Sequence, residues 1–217
     1  MTYGELKTLF AYKYEQTSAP STGAEVRNKF INLAYKNIAG RRKWDWLNSA
    51  GSGTTDGTTS FDLASDFGDF GLDKGSIKIG NYYWEQINES DVDLYSDDAY
   101  VFILRGNPSD GWNMYFPCKT PDSGDSVAYR YYASLSDMSD DGDVCLCPNG
   151  EAIADLSVGM YFQSEGEQEE ALPFFEAAEQ EISDMKSQQV KRSAKSRWKN
   201  SSDWYGKNVY DVTQMYK

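Results

Sequence analysis

Carboxylates are the most abundant groups with chemistry to offer, 34 Asp and Glu against 21 Lys and Arg in 217 residues, and there is no histidine. Two acidic runs have a spacing to test. Asp137-Met138-Ser139-Asp140-Asp141-Gly142-Asp143 opens like a calcium loop, with oxygens at positions 1, 3 and 5 and glycine at 6, but its twelfth position is Pro148, where a bidentate Glu is required. Asp91, Asp93, Asp97 and Asp98 could supply the carboxyl pair of glycoside hydrolysis, although their spacing equally suits a solvated loop. Without histidine there is no Ser-His-Asp or Cys-His nucleophile, no His-ligated zinc and no histidine proton shuttle. Cys145 and Cys147 are separated by a single residue, too few for a zinc knuckle or a thioredoxin-like motif, and fall on one face of an extended segment, so they are expected to pack. With Cys118 they make three cysteines, an odd number that does not suggest a disulfide framework and fits a reducing site of synthesis. Ala50-Gly51-Ser52-Gly53-Thr54-Thr55-Asp56-Gly57 superficially resembles a phosphate loop, but it follows a helical pattern and lacks a Gly-Lys-Ser/Thr ending, so it is expected to be a flexible connection. No catalytic residue, metal ligand or cofactor is expected.

The net charge of −13 is unevenly spread: +4 over residues 1–47, −13 over 48–150, −10 over 151–185, +6 over 186–200 and zero over 201–217. Such a balance disfavours tight wrapping of nucleic acid, which needs clustered Lys and Arg. No basic start followed by an apolar run opens the chain and no stretch approaches 18 apolar residues, so neither a signal peptide nor a membrane span is expected. Six Trp, sixteen Tyr and ten Phe supply ample apolar area for a folded core.

The elements that must position these groups follow from periodicity and capping. Thr2 with Glu5, and Thr22 with Glu25, have capping-box spacing and open two helices broken by Gln16-Thr17-Ser18-Ala19-Pro20-Ser21. Val26, Phe30, Leu33, Ala34 and Ile38 mark the core stripe of the second, which closes in a basic-aromatic cluster, Arg41, Arg42, Lys43, Trp44 and Trp46, read as structural anchors in preference to a nucleic-acid contact. Short strands are expected at Thr59–Leu63, Ser76–Ile79, Tyr82–Gln86, Tyr100–Leu104, Trp112–Phe116 and Val127–Ala133, with Gly80-Asn81 as a hairpin turn. The helical period returns at Ile153, Leu156, Met160 and Tyr161, and again at Leu172, Phe175, Ala178, Ile182 and Met185, with Pro173 near the start of the last helix or kinking it. This order predicts an α+β, mainly α chain: an antiparallel four-helix bundle with a small antiparallel β insertion and an extended C-terminal arm. Residues 1–48 hold the first two helices, 49–150 the β-rich insertion, 151–192 the last two helices and 193–217 the arm. The arm is basic and rich in aromatic anchors, as a docking segment would be.

With these features in order, the chain resembles the bacteriophage head-to-tail connector, or adaptor, proteins of the portal-tail neck. The resemblance rests on the Thr2-Tyr3-Gly4-Glu5-Leu6 helix start, Ile31-Asn32-Leu33-Ala34 with Trp44-Asp45-Trp46, Phe61-Asp62-Leu63-Ala64-Ser65-Asp66-Phe67, Pro121, Gly124 and Tyr129-Arg130-Tyr131-Tyr132, and the helix at 151–162. Leu63-Ala64 stands where the family has a leucine-proline pair. The resemblance implies a non-enzymatic virion protein of the neck, made in the host bacterial cytoplasm. It would form a ring of about twelve copies that joins the portal to tail nozzle or tail tube proteins. The ring would line a channel for genome retention and ejection, through which double-stranded DNA passes without specific binding. On that reading Lys191, Arg192, Lys195, Arg197, Trp198, Trp204, Tyr205, Tyr210 and Tyr216 dock the portal, and Tyr82, Tyr83, Trp84 and Trp112 of the β unit face the tail. The alternative is a carbohydrate-binding module of a phage tail that uses the same four aromatics as sugar platforms, or a carboxylate glycosidase built on the aspartates above.

Overall fold

A computed structural model describes the backbone of residues 1–15, 23–70 and 76–212, and the side chains of 1–15, 23–70 and 77–191. The chain divides into two compact units, Met1–Arg41 with Met138–Lys217, and Arg42–Asp137.

The first unit is helical: α1 (Tyr3–Glu15), α2 (Ala24–Gly40), α3 (Gly150–Glu165) and α4 (Gln168–Val212). The Thr2–Glu5 box that opens α1 forms as expected, with Thr2 N–H donating to the Glu5 carboxylate at 2.7 Å and Glu5 N–H to the Thr2 hydroxyl at 3.3 Å. α2 differs: its N-cap is Gly23, with no side-chain cap, while Thr22 and the expected break at 16–21 lie outside the described residues. Its core stripe is also turned from the expected one. Ile31, Ala34, Tyr35 and Ile38 are buried, whereas Val26 and Leu33 are 40% and 48% exposed. Both sets have helical spacing, and contact with α3 decides between them.

α3 lies at the centre of this unit, and α1, α2 and α4 each pack against it. Apart from Glu151 and Met160, every residue from Gly150 to Phe162 is buried, as befits a helix apolar on all sides. Asn149 caps its first turn by accepting from Glu151 N–H at 3.1 Å, and Gly166, at φ +85°, ends it with the left-handed turn that lets Glu167 N–H reach the Phe162 carbonyl. Gly159 leaves room for α4: a Cβ there would lie 2.9 Å from the Phe175 ring. The buried charge of α3 is Asp155, which receives Lys13 Nζ of α1 at 2.8 Å, with Glu151 at 2.7 Å from the same ammonium. Burial raises the Asp155 pKa against the pull of Lys13. For Lys13, burial opposes the charge, but the hydrogen bonds and charges of Asp155 and Glu151 outweigh it and raise the pKa.

The second unit is β. Its strands are β1 (Asn48–Thr54), β2 (Ser60–Asp62), β3 (Phe67–Phe70), β4 (Ser76–Ile79), β5 (Tyr82–Gln86), β6 (Val101–Asn107), β7 (Gly111–Tyr115) and β8 (Ser126–Ala133). They form one sheet in the order β1-β8-β4-β5-β6-β7-β2, with β3 also paired to β8. β5 and β6 run parallel, in register Glu85 to Val101, and the other pairs are antiparallel. The sheet curls so that Phe61, on the last strand of the order, would meet a Cβ on Gly53 of the first at 2.8 Å. Trp84, Phe67, Phe102, Phe116, Ile79 and Met114 are among the residues of its core.

The expected four-helix bundle with a small antiparallel insertion is therefore overturned. The β part is a mixed, curled, eight-stranded sheet with its own core, and the helices gather about α3. The sequence reading missed β1 and β3. β1 is the Gly-Ser-Thr segment expected to be flexible, and it pairs along its whole length with β8, from Asn48 opposite Tyr132 to Thr54 opposite Ser126. A Cβ on Gly51 would lie 2.2 Å from the Tyr129 ring, so the glycine that reads as looseness is the space an aromatic needs. α4 likewise runs to Val212, through the stretch set apart as an extended arm, with Pro173 in its second turn.

Two outcomes follow. Gly51→Ala should lower stability by about 1–3 kcal/mol in urea denaturation by overpacking against Tyr129, while Ser52→Ala on the exposed side of β1 should cost less than about 0.5 kcal/mol. Lys13→Met should cost roughly 3 kcal/mol at neutral pH, because it strands Asp155. The raised pKa of Asp155 means that the penalty is present above that pKa and shrinks as pH falls through it; a deficit that grows toward acid would contradict this origin.

Candidate interaction surfaces

The four aromatics expected to act together on the β unit differ in burial. Tyr83 is 72% exposed and Tyr82 53%, whereas Trp84 is 2% exposed, set edge-on to Tyr100 and Phe116 at 5.3 and 5.0 Å between ring centroids. Trp112 is half-buried against Phe67. Trp84 is thus a core residue, while Trp112 is a partly buried residue packed against that core. Tyr82 does take part in a surface cluster that the sequence reading missed. It stacks on Tyr100 at 4.4 Å, while Lys119 Nζ lies 4.5 Å from the Tyr100 centroid and donates to the Tyr100 hydroxyl at 2.8 Å. That hydrogen bond is the main reason the Lys119 pKa is raised. Lys119 is far from Tyr82 in sequence, so spacing held no sign of the cluster.

Several of the candidate aspartates have structural partners. Asp143 accepts from Ser139 and Asp140 N–H at 2.7 and 2.9 Å, and these bonds hold its carboxyl below its usual pKa. The carbonyls of Asp143 and Asp141 receive the N–H groups of Tyr3 and Gly4, and the Asp141 carboxylate pairs with Lys7 at 2.8 Å. The calcium-like loop therefore satisfies the open first turn of α1. Asp98 accepts from the Ser96 hydroxyl at 2.6 Å, which lowers its pKa, the opposite of what a general acid requires.

Cys145 and Cys147 are both buried, as packing predicts, and burial pushes the Cys147 thiol up to about 12. Tyr35, its hydroxyl accepting from Leu146 N–H at 3.0 Å, is likewise raised to about 12 by burial. Of the basic-aromatic cluster, Trp44 is buried, Arg41 pairs with Glu179 and Lys43 with Asp69. Among the described residues no group of three potential ligands could hold a metal ion, and no helix is long and apolar enough to cross a membrane.

The C-terminal candidates divide by position. Lys191 is exposed on α4. The side chains of Arg192, Lys195, Arg197, Trp198, Trp204, Tyr205 and Tyr210 lie outside the described residues, as does Tyr216 altogether. The buried positions among the described residues of α4, namely Ala171, Ala178, Ile182 and Met185, all precede them.

Two sequence segments come together on the β unit. Ala64 N–H donates to the Tyr129 hydroxyl at 2.8 Å, and the Tyr131 hydroxyl donates to Asp66 at 2.7 Å. β8 thereby grips the 64–66 turn from two rungs of one face. A proline at 64 would lack the first donor.

A family model described as SU10 adaptor protein matches residues 1–201. No curated protein matches the chain.

The split between surface and core on β5 is directly measurable. Tyr83→Ser should leave stability within about 0.5 kcal/mol of the parent, whereas Trp84→Ala should cost about 3–5 kcal/mol; equal costs in urea denaturation would contradict the placement.

Proposed function

Because the chain belongs to the SU10 adaptor protein family, a family of phage head-to-tail adaptors, we propose that copies of it close into a ring that joins the portal to the tail around the path of the DNA. The coarse role, a structural adaptor of the virion neck, comes with the family. The match over residues 1–201 is the observation that carries the finer reading.

The charge distribution supports that reading. Acid dominates residues 48–185 and base returns at 186–200. A ring of about twelve copies would carry a charge on the order of −156, and an acidic lumen repels phosphate, so that DNA slides without adhering. The basic, aromatic C-terminal segment is the portal-docking element of this proposal, and the exposed Tyr82 and Tyr83 belong to its tail side. Neither surface needs an enzyme's geometry; a docking element needs anchors and charge.

A chain ending at Gln189 retains Ala171, Ala178, Ile182 and Met185, the buried positions described on α4. It should melt within about 2 °C of the full chain and lose capture by the portal in a pulldown. Undiminished capture would sink the assignment of the C-terminal segment.

A further inference from the structure

The helical unit carries two outward faces of opposite charge, each with aliphatic side chains in water. On α2 the exposed positions Val26, Lys29, Leu33 and Lys36 follow one another at offsets 0, 3, 7 and 10, on the side away from the buried Ile31, Ala34, Tyr35 and Ile38. On α4 the exposed positions Glu169, Leu172, Glu176 and Gln180 fall at offsets 0, 3, 7 and 11, away from the buried Ala171, Ala178, Ile182 and Met185. Leu33 and Leu172 are 48% and 57% exposed, the kind of apolar area that a partner's surface covers.

We infer that the α2 face of one copy docks on the α4 face of the next. The lysines bracketing Leu33 would meet the glutamates bracketing Leu172. Charge complementarity selects this occupant: a second α2 face would set lysine against lysine and a second α4 face glutamate against glutamate, so neither face pairs with itself. The contact is therefore head to tail, and head-to-tail contacts propagate from copy to copy until rotation closes them into a ring. The chain already uses the same chemistry internally, where Arg41 beside the end of α2 pairs with Glu179 of α4. This inference rests on the ring reading and names the surfaces that would build it.

Charge reversal in trans tests it. Lys29→Glu with Lys36→Glu makes both faces acidic, and Glu169→Lys with Glu176→Lys makes both basic. Followed by analytical ultracentrifugation at low salt, each double variant alone should need at least about tenfold more protein than the wild type to assemble. An equimolar mixture should recover assembly, because each face again meets its opposite, and recovery also shows that both variants are folded. Leu33→Ser and Leu172→Ser, which leave the charges alone, should each weaken assembly in the same direction. Wild-type oligomers with variants that assemble equally well would overturn the docking faces and leave the ring reading standing. A wild type that stays monomeric at every concentration and salt, with portal present as well as without it, would overturn both.

Discussion

A helix that is apolar on nearly every side cannot be placed in water, and α3 is such a helix. Its burial from Gly150 to Phe162 requires cover from several directions, and α1, α2 and α4 supply it. Much else in the helical unit follows from that demand. Gly159 is small so that α4 can come close, and Lys13 reaches inward because Asp155 is carried into the core with a charge that must be met. The acidic loop at 137–143 finds its use at the other end of α1, where its carbonyls take up N–H groups that no helical turn can satisfy. The outward faces of α2 and α4 are what this constraint leaves over.

The β unit is organised by a different exchange, between aromatics and the absence of side chains. Tyr129 lies across Gly51, Phe61 reaches Gly53, and the hydroxyls of Tyr129 and Tyr131 fasten the turn at 64–66. Glycine lowers strand propensity, but here each glycine is offset by a ring that buries large area against bare backbone. The sheet can curl because its ends meet through a side chain and a gap.

The Asp98, Asp141 and Asp143 carboxyls, which spacing suggested for calcium or catalysis, are engaged with neighbouring side chains and backbone, and Trp84, one of four candidate platform aromatics, is taken up by the core. The proposed contacts would draw on surface: a Tyr82, Tyr100 and Lys119 cluster with the exposed Tyr83, a basic aliphatic face, an acidic aliphatic face, and the basic aromatic C-terminal sequence. The uneven charge of the chain acts through such surfaces, because exposed charge steers and selects partners more than it stabilises a fold.

Sequence alone determined the features that depend on neighbours along the chain. The Thr2–Glu5 cap, the Gly80-Asn81 hairpin with Gly80 at φ +57°, and the strands Ser76–Ile79 and Tyr82–Gln86 all form where local spacing puts them. The order of motifs also sufficed to mark the family. Tertiary structure decided whatever needed a distant partner. Two stripes on α2 had equal helical spacing, and only contact with α3 chose Ile31, Ala34, Tyr35 and Ile38 over one containing Val26 and Leu33. The segment from Asn48 to Thr54 is a strand because β8, far along the chain, lays Tyr129 over it. Trp84 and Tyr83 are neighbours in sequence with opposite fates because the pleat turns them to opposite sides of a sheet whose filled side periodicity cannot name. A local pattern fixes which residues share a face; burial depends on what arrives to cover that face, and that is set by contacts between parts of the chain far apart in sequence.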